Sequence, residues 1–235
     1  MRILLSILVF FTLSSLAIAA YRSDIVTLSL IEFSDFEEIR PHIYVSAETS
    51  KKQRQQLLVL IDAGKKRIEN TFGAYAATAT IIASSNKRAL KPYGNNSYAS
   101  AKFFPNQAYL IIGENGFNID VISHELAHAE LFARIGYIKR LLQIPLWFDE
   151  GVAMQLDFRE KYNYPPPQKP ELSQLKYAWQ FFNGDSETLT AHYALAKDEV
   201  KHWLSHLDTY TLANFLDEIN QGKDFDTLYV KHAFK

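Results

Sequence analysis

Residues 164–170 read Tyr-Pro-Pro-Pro-Gln-Lys-Pro, and this run restricts the fold more than any other stretch of the chain. Its prolines lack backbone N–H donors and fix φ, so neither a helix nor a central strand can pass through. The run is a linker or a stiff surface loop between two stretches of different pattern. Before it, strands and helices mix. Residues 42–47 read as a strand. Thr49 or Ser50 can cap a helix to about Phe72, with Leu57, Leu58, Leu60, Ile61 and Ile68 as its apolar side and Gly73 as its stop. Residues 77–83 form a second strand, 86–93 a short helix closed by a Gly94-Asn95-Asn96 turn, and 98–104 and 108–112 two more strands joined at Pro105-Asn106. Residues 113–116 are a loop. Asn118 can cap a helix from Ile119 to Ile135 that Gly136 stops, and after a loop of residues 136–144, Pro145 opens another helix to about Leu156. After the proline run, residues 172–183, 190–206, 209–220 and 224–233 read as helices. The expected class is α+β: a small mixed sheet with a central helix in residues 20–160, then an all-helical C-terminal subdomain in 171–235.

Residues 1–19 have the layout of a secretory signal peptide. Arg2 precedes an apolar run from Ile3 to Phe11, and Ala17-Ile18-Ala19 offers an A-x-A cleavage site. The mature chain is expected to begin at about Ala20 and to be exported, periplasmic or secreted. An uncleaved anchor is the competing reading, since residues 3–20 are uncharged and nearly long enough for a span of roughly 20 residues. No second stretch could cross a bilayer, so no stable span is expected after cleavage.

The chain has no cysteine, which excludes disulfides, Fe–S clusters, thiolate-held zinc and thiol catalysis. Any metal site must use His, Asp and Glu. With 25 basic against 26 acidic residues there is no cationic excess to attract a phosphate backbone, so nucleic acid is not an expected partner.

The central helix carries His124-Glu125-Leu126-Ala127-His128, an H-E-x-x-H sequence. Four residues of helix turn about 400° and rise about 6 Å, so the two imidazoles leave one face one turn apart and can hold the same ion. Glu125 lies beside them, able to reach a water on that ion without ligating it. Zinc suits two imidazoles and a carboxylate with a fourth position open. The third ligand is expected from the next element. In Pro145-Leu146-Trp147-Phe148-Asp149-Glu150-Gly151-Val152-Ala153, Glu150 stands near the start of a helix on an otherwise apolar sequence, and a helix folding back antiparallel would aim it at the histidine pair.

His124-Glu125-Leu126-Ala127-His128 followed by Pro145-Leu146-Trp147-Phe148-Asp149-Glu150-Gly151 resembles the gluzincin metallopeptidases, and is most similar to the exported, minimal group called peptidase MA-like. The resemblance covers residues 40–235 in layout and is specific across 118–156. It implies a zincin-like fold, a Zn²⁺ cofactor held by His124, His128 and Glu150, Glu125 as general base, and a peptide or protein substrate. The gap from His128 to Glu150 is slightly longer than in thermolysin-like members, and Met154 stands where an Asp is expected one turn after the glutamate ligand. Asp149 or a backbone carbonyl could orient a histidine in its place.

Other residues carry less. His202 and His206 repeat the i,i+4 spacing without an intervening Glu or an evident third ligand. Tyr193 and His192 are candidate donors to a tetrahedral oxyanion, and residues 98–104 and 108–112 are candidate edges for an extended peptide. The expected function is an exported zinc peptidase acting through Glu125. The alternative is a zinc-containing periplasmic binding or assembly protein with little catalytic activity.

Overall fold

The computed structural model describes residues 23–94, 97–164, 170–207 and 211–233. The signal segment 1–19, Asn95-Asn96 of the expected turn, the prolines at 165–167 and residues 209–210 of the expected helix lie outside the described residues. Among the described residues no helix is long and apolar enough to cross a membrane.

The strands are β1 (Phe36–Arg40), β2 (Ile43–Ser46), β3 (Ala79–Ala83), β4 (Ala99–Phe104) and β5 (Gln107–Ile112), in the sheet order β1-β2-β3-β5-β4. The β2–β3 and β3–β5 pairs are parallel and both outer pairs antiparallel. The sheet is therefore small and mixed, with β1 and β4 as its two edges; residues 108–112, expected as a candidate edge, lie inside it, because β5 is paired on both sides. The helices are α1 (Ser23–Ser29), α2 (Lys51–Phe72), α3 (Ile119–Gln143), α4 (Leu146–Met154), α5 (Ala178–Phe181), α6 (Ser186–Ser205), α7 (Leu212–Asn220) and α8 (Phe225–Ala233). The class is α+β, as expected.

Alternation along the strands decides which layer each side chain joins. Ile81, Ala83, Leu110 and Ile112 face α2 and α3, packing with Leu57, Ile61, Ile68, Ile122 and Leu126. Ile82, Tyr109 and Ile111 point to the other face, which Leu28 of α1, Ile31, Leu90 and Tyr93 cover. α2 starts at a capping box in which Ser50 and Gln53 satisfy each other's backbone N–H groups. α2 and α3 approach closely at Gly64, where a Cβ would sit 2.9 Å from Leu126 Cδ1.

A second core anchors α4 to the C-terminal helices. The Phe148 ring centroid lies 5.4 Å from Trp203, 5.5 Å from Phe215 and 5.0 Å from Phe225. These pairs add to the burial of the large rings. Trp147-Phe148 is thus the plug that fixes the helix bearing Glu150.

Several expected boundaries move. Residues 87–93 form a turn and a 3-10 segment instead of a short helix, with i,i+3 bonds from Ala89 to Asn86 and from Tyr93 to Leu90. Pro92 has no N–H with which to extend a helix there. Residues 114–116 are a 3-10 turn within the expected loop. The helix expected over 172–183 divides into a 3-10 segment (Leu172–Leu175) and α5, because the Lys176 carbonyl accepts from Leu146 N at 2.9 Å. α6 begins earlier than expected, at Ser186, where Asp185 accepts from Thr188 N. β1 and α1 occupy a region whose sequence pattern predicts no element.

The largest correction lies between the two halves of the motif. Gly136 breaks α3 with φ +74°, but residues 137–143 are helical again instead of a loop. Only a residue without a side-chain penalty at positive φ turns the chain here while both flanks stay helical.

Gly151 is required for another reason: a Cβ there would lie 2.4 Å from the Ala196 carbonyl oxygen and 2.5 Å from Val200 Cγ2. α4 crosses α6 at that residue. Gly151→Ala is therefore expected to destabilise the protein by about 1–3 kcal/mol. Thermal unfolding of the variant checks this, and an unchanged midpoint would contradict the crossing as described.

Candidate metal centre

α3 delivers His124, Glu125 and His128 from a stretch buried on almost every side, Val121 to Phe132 without interruption. Three polar ties hold that stretch in register. Asn118 caps it by accepting from Asp120 N. Arg67 of α2 bonds Asp120 at 2.6 Å and the Leu156 carbonyl at 2.6 Å, joining α2, α3 and the end of α4. Glu130, buried, accepts from Ala76 N and Ala77 N just before β3 and pairs with Arg134. The helix is thereby fixed along its axis and about it.

α4 brings Glu150 to the histidines. His124 Nε2 lies 3.1 Å from His128 Nε2. Glu150 Oε2 lies 3.3 Å from the first and 3.5 Å from the second. These three atoms form a nearly equilateral triangle. Ligands bound to one tetrahedral zinc at about 2.0–2.2 Å stand about 3.3–3.6 Å apart, so the triangle has the size of one face of such a site. Glu150 Oε2 is buried and meets only the two imidazoles, at 3.3 and 3.5 Å, and a carboxylate oxygen in such a place is held by positive charge, a proton on an imidazole or a metal ion. The residues fit a divalent cation. Among the described residues this is the only group of three such ligands; His202 and His206 gain no third member, and His206 Nδ1 donates to the His202 carbonyl instead.

The orienting partner of His128 is Asp149, one of the two alternatives left open by the sequence. His128 Nδ1 donates to Asp149 Oδ1 at 2.7 Å, which turns Nε2 toward Glu150 and His124. Asp149 Oδ2 pairs with Arg140, whose guanidinium stacks 4.0 Å from the Phe103 ring centroid of β4. Nothing in the sequence pattern singles out Arg140. It reaches Asp149 because residues 137–143 are a helix aimed by the Gly136 bend.

Burial pulls the His128 imidazole down, but Glu150 and Asp149 outweigh it and hold the group up at about 10. Burial works against the Glu150 carboxylate, yet His128 and His124 keep it well below the usual range. Burial raises Glu125 above an ordinary glutamate, opposed by the two histidines. Glu125 makes no hydrogen bond within the described residues and lines a cleft of about 330 Å³ together with His124, Tyr98, Arg159, Tyr162 and Tyr193. The Tyr193 ring lies 6.1 Å from that of His124, and burial followed by Glu150 and Glu125 keeps its phenol protonated. His192, the rival candidate, spends Nδ1 on the Phe181 carbonyl at 2.7 Å and does not line the cleft.

A folded-state imidazole held at about 10 stabilises the metal-free protein fully below pH 6.5, and that contribution is lost as pH rises through about 10. A bound cation replaces the proton. Urea unfolding at pH 6, 8 and 10 is expected to show the loss in chelator-treated protein and a smaller loss in zinc-loaded protein. Calorimetry at pH 7 should record about one proton released per zinc bound. Equal pH dependence of both forms would contradict the charge state assigned to His128.

A scan of known protein families finds no match to this chain, and a search of curated proteins finds none.

Proposed function

We propose that the chain is an exported zinc metallopeptidase of the gluzincin type, acting on peptide or protein substrates. The observation carrying this reading is the triangle of His124 Nε2, His128 Nε2 and Glu150 Oε2 at 3.1–3.5 Å with Glu125 beside it in the cleft wall. When bound by these three residues, zinc supplies Lewis acidity, polarising a carbonyl oxygen and lowering the pKa of a water to about 7.

Glu125 is the proton carrier in this reading. Its raised pKa suits a group that takes a proton from the attacking water and returns it to the leaving amine. Tyr193 is the donor assigned to the oxyanion, since its protonated hydroxyl belongs to a cleft-lining side chain and His192 is otherwise engaged. β4, an edge strand, brings Ala99 to the cleft wall, and in this reading an extended peptide would pair alongside it. A zinc-binding protein without catalysis would have no use for a carboxylate at Glu125 that ligates nothing and bonds nothing among the described residues.

Two glutamine variants test the roles. Glu125→Gln is expected to keep its zinc and lose hydrolysis by about 10²–10⁴-fold. Glu150→Gln is expected to lose zinc, because a neutral amide is a poor ligand for a divalent cation. Metal content and peptide hydrolysis are measured on the same samples. Wild-type protein that holds zinc but cleaves no peptide would favour the binding or assembly alternative. Wild-type rates in both variants would overturn the peptidase assignment.

A further inference from the structure

Asp157, just beyond α4, has a side chain with no exposure, a place where a carboxylate must be paired. Its partner is Arg159. Arg159 Nε lies 2.9 Å from both Asp157 oxygens, Nη2 pairs with Oδ2, and the Arg159 backbone N–H donates to Oδ1 at 3.0 Å. The guanidinium also stands 5.0 Å from the Tyr162 ring centroid. A buried anion on one edge and an aromatic face thus fix the orientation of an arginine whose side chain keeps 28% of its exposure and lines the cleft with Glu125. Nη1 makes no hydrogen bond within the described residues and is left on the edge away from Asp157. Lys161, 4.6 Å from the same Tyr162 ring, adds a second cation to the lining. Neither is a metal-capable side chain, and the proton transfers assigned to Glu125 use neither.

We infer that Arg159, supported by Lys161, forms a carboxylate-binding subsite of the cleft, so that the substrates are peptides presenting a carboxylate near the scissile bond. This rests on the peptidase reading for what occupies the cleft. The physical reason is preorganisation. A free surface arginine loses rotamer entropy on binding an anion, whereas Arg159 is already ordered by Asp157 and Tyr162. A guanidinium edge matches a carboxylate in a charge-assisted hydrogen bond. Its charge is felt at Glu125 and at Tyr193, so it lies within electrostatic reach of the groups assigned to catalysis. The carboxylate can come from two sources, an acidic side chain or the C-terminus of the peptide.

The test uses zinc-loaded wild-type protein and matched peptides. Glu is exchanged for Gln at each position on either side of the cleaved bond, and each peptide is made with a free and an amidated C-terminus. One carboxylate position is expected to raise kcat/KM about 10- to 100-fold, the size of a charge-assisted contact, and the advantage should shrink with added salt. Sensitivity to amidation assigns the C-terminus; sensitivity to the Glu-to-Gln exchange assigns a side chain. In Arg159→Gln the ratio between carboxylate and neutral peptides is expected to collapse, whatever the absolute rates, and Arg159→Lys should restore part of it. The wild-type comparison stands even if a variant folds poorly. Absence of any carboxylate preference in wild-type protein, or its survival in Arg159→Gln, would overturn the subsite.

A binding arm separates this inference from the reading beneath it. Calorimetry of the same peptide pairs on zinc-loaded Glu125→Gln protein should give the same order of affinities. Cleavage without preference in either arm removes the subsite and leaves the peptidase. Preferential binding of carboxylate peptides, together with zinc-loaded wild-type protein that cleaves none of them, removes the peptidase and leaves the subsite.

Discussion

One carboxylate, Asp149, ties together the two helices that share the candidate metal centre. It accepts from His128 on α3 with one oxygen and pairs with Arg140 through the other. It also precedes Glu150 directly, so fixing Asp149 fixes the backbone that presents Glu150 to the histidines. A buried carboxylate of this kind is held only when both oxygens are met, and here one partner is itself a metal-capable residue. The position of Glu150 relative to the two histidines is therefore set by a closed circuit of buried polar contacts together with apolar packing of Trp147 and Phe148 into the C-terminal helices.

That division closes the protein around the three metal-capable residues and leaves the cleft open. His124, His128 and Glu150 are 5–8% exposed, while Tyr98, Arg159, Tyr162 and Tyr193 line the cleft with His124. The helical C-terminal region contributes Tyr193 to this wall and Phe215, Phe225 and Trp203 to the seat of α4. It is thus joined to the site from two directions, by a cleft residue and by a core.

How much of this is legible in the sequence depends on whether the determinant is local. The H-E-x-x-H spacing works through helix geometry alone, so His124, Glu125 and His128 can be read directly, and Ser50, Asn118 and Gly136 mark helix ends by side-chain chemistry that acts over a few residues. Glu150 is legible because packing alone does not account for an acid on an apolar helix start. β1 is not legible because Phe36–Arg40 is short and mostly polar, a strand held by pairing to β2 and not by a buried face. Arg140 and the Asp157–Arg159 pair are hidden because their importance comes from tertiary position: each is an ordinary charged residue until the fold places it against a buried carboxylate or buries it. The choice of Asp149 over a backbone carbonyl is undecidable from sequence for the same reason.

The helical form of residues 137–143 changes what the distance between His128 and Glu150 means. In a loop, an added or deleted residue is absorbed by slack. In a helix each residue advances the direction of the next side chain by about 100°, so a one-residue insertion between Gly136 and Arg140 would swing the guanidinium away from Asp149 and Phe103. Length variation in this spacer is consequently quantised. Changes by whole turns, about three or four residues, can preserve the bearing of Arg140 while shifting it along the axis; changes by one or two cannot. The separation of the motif's two halves is a phase as well as a length.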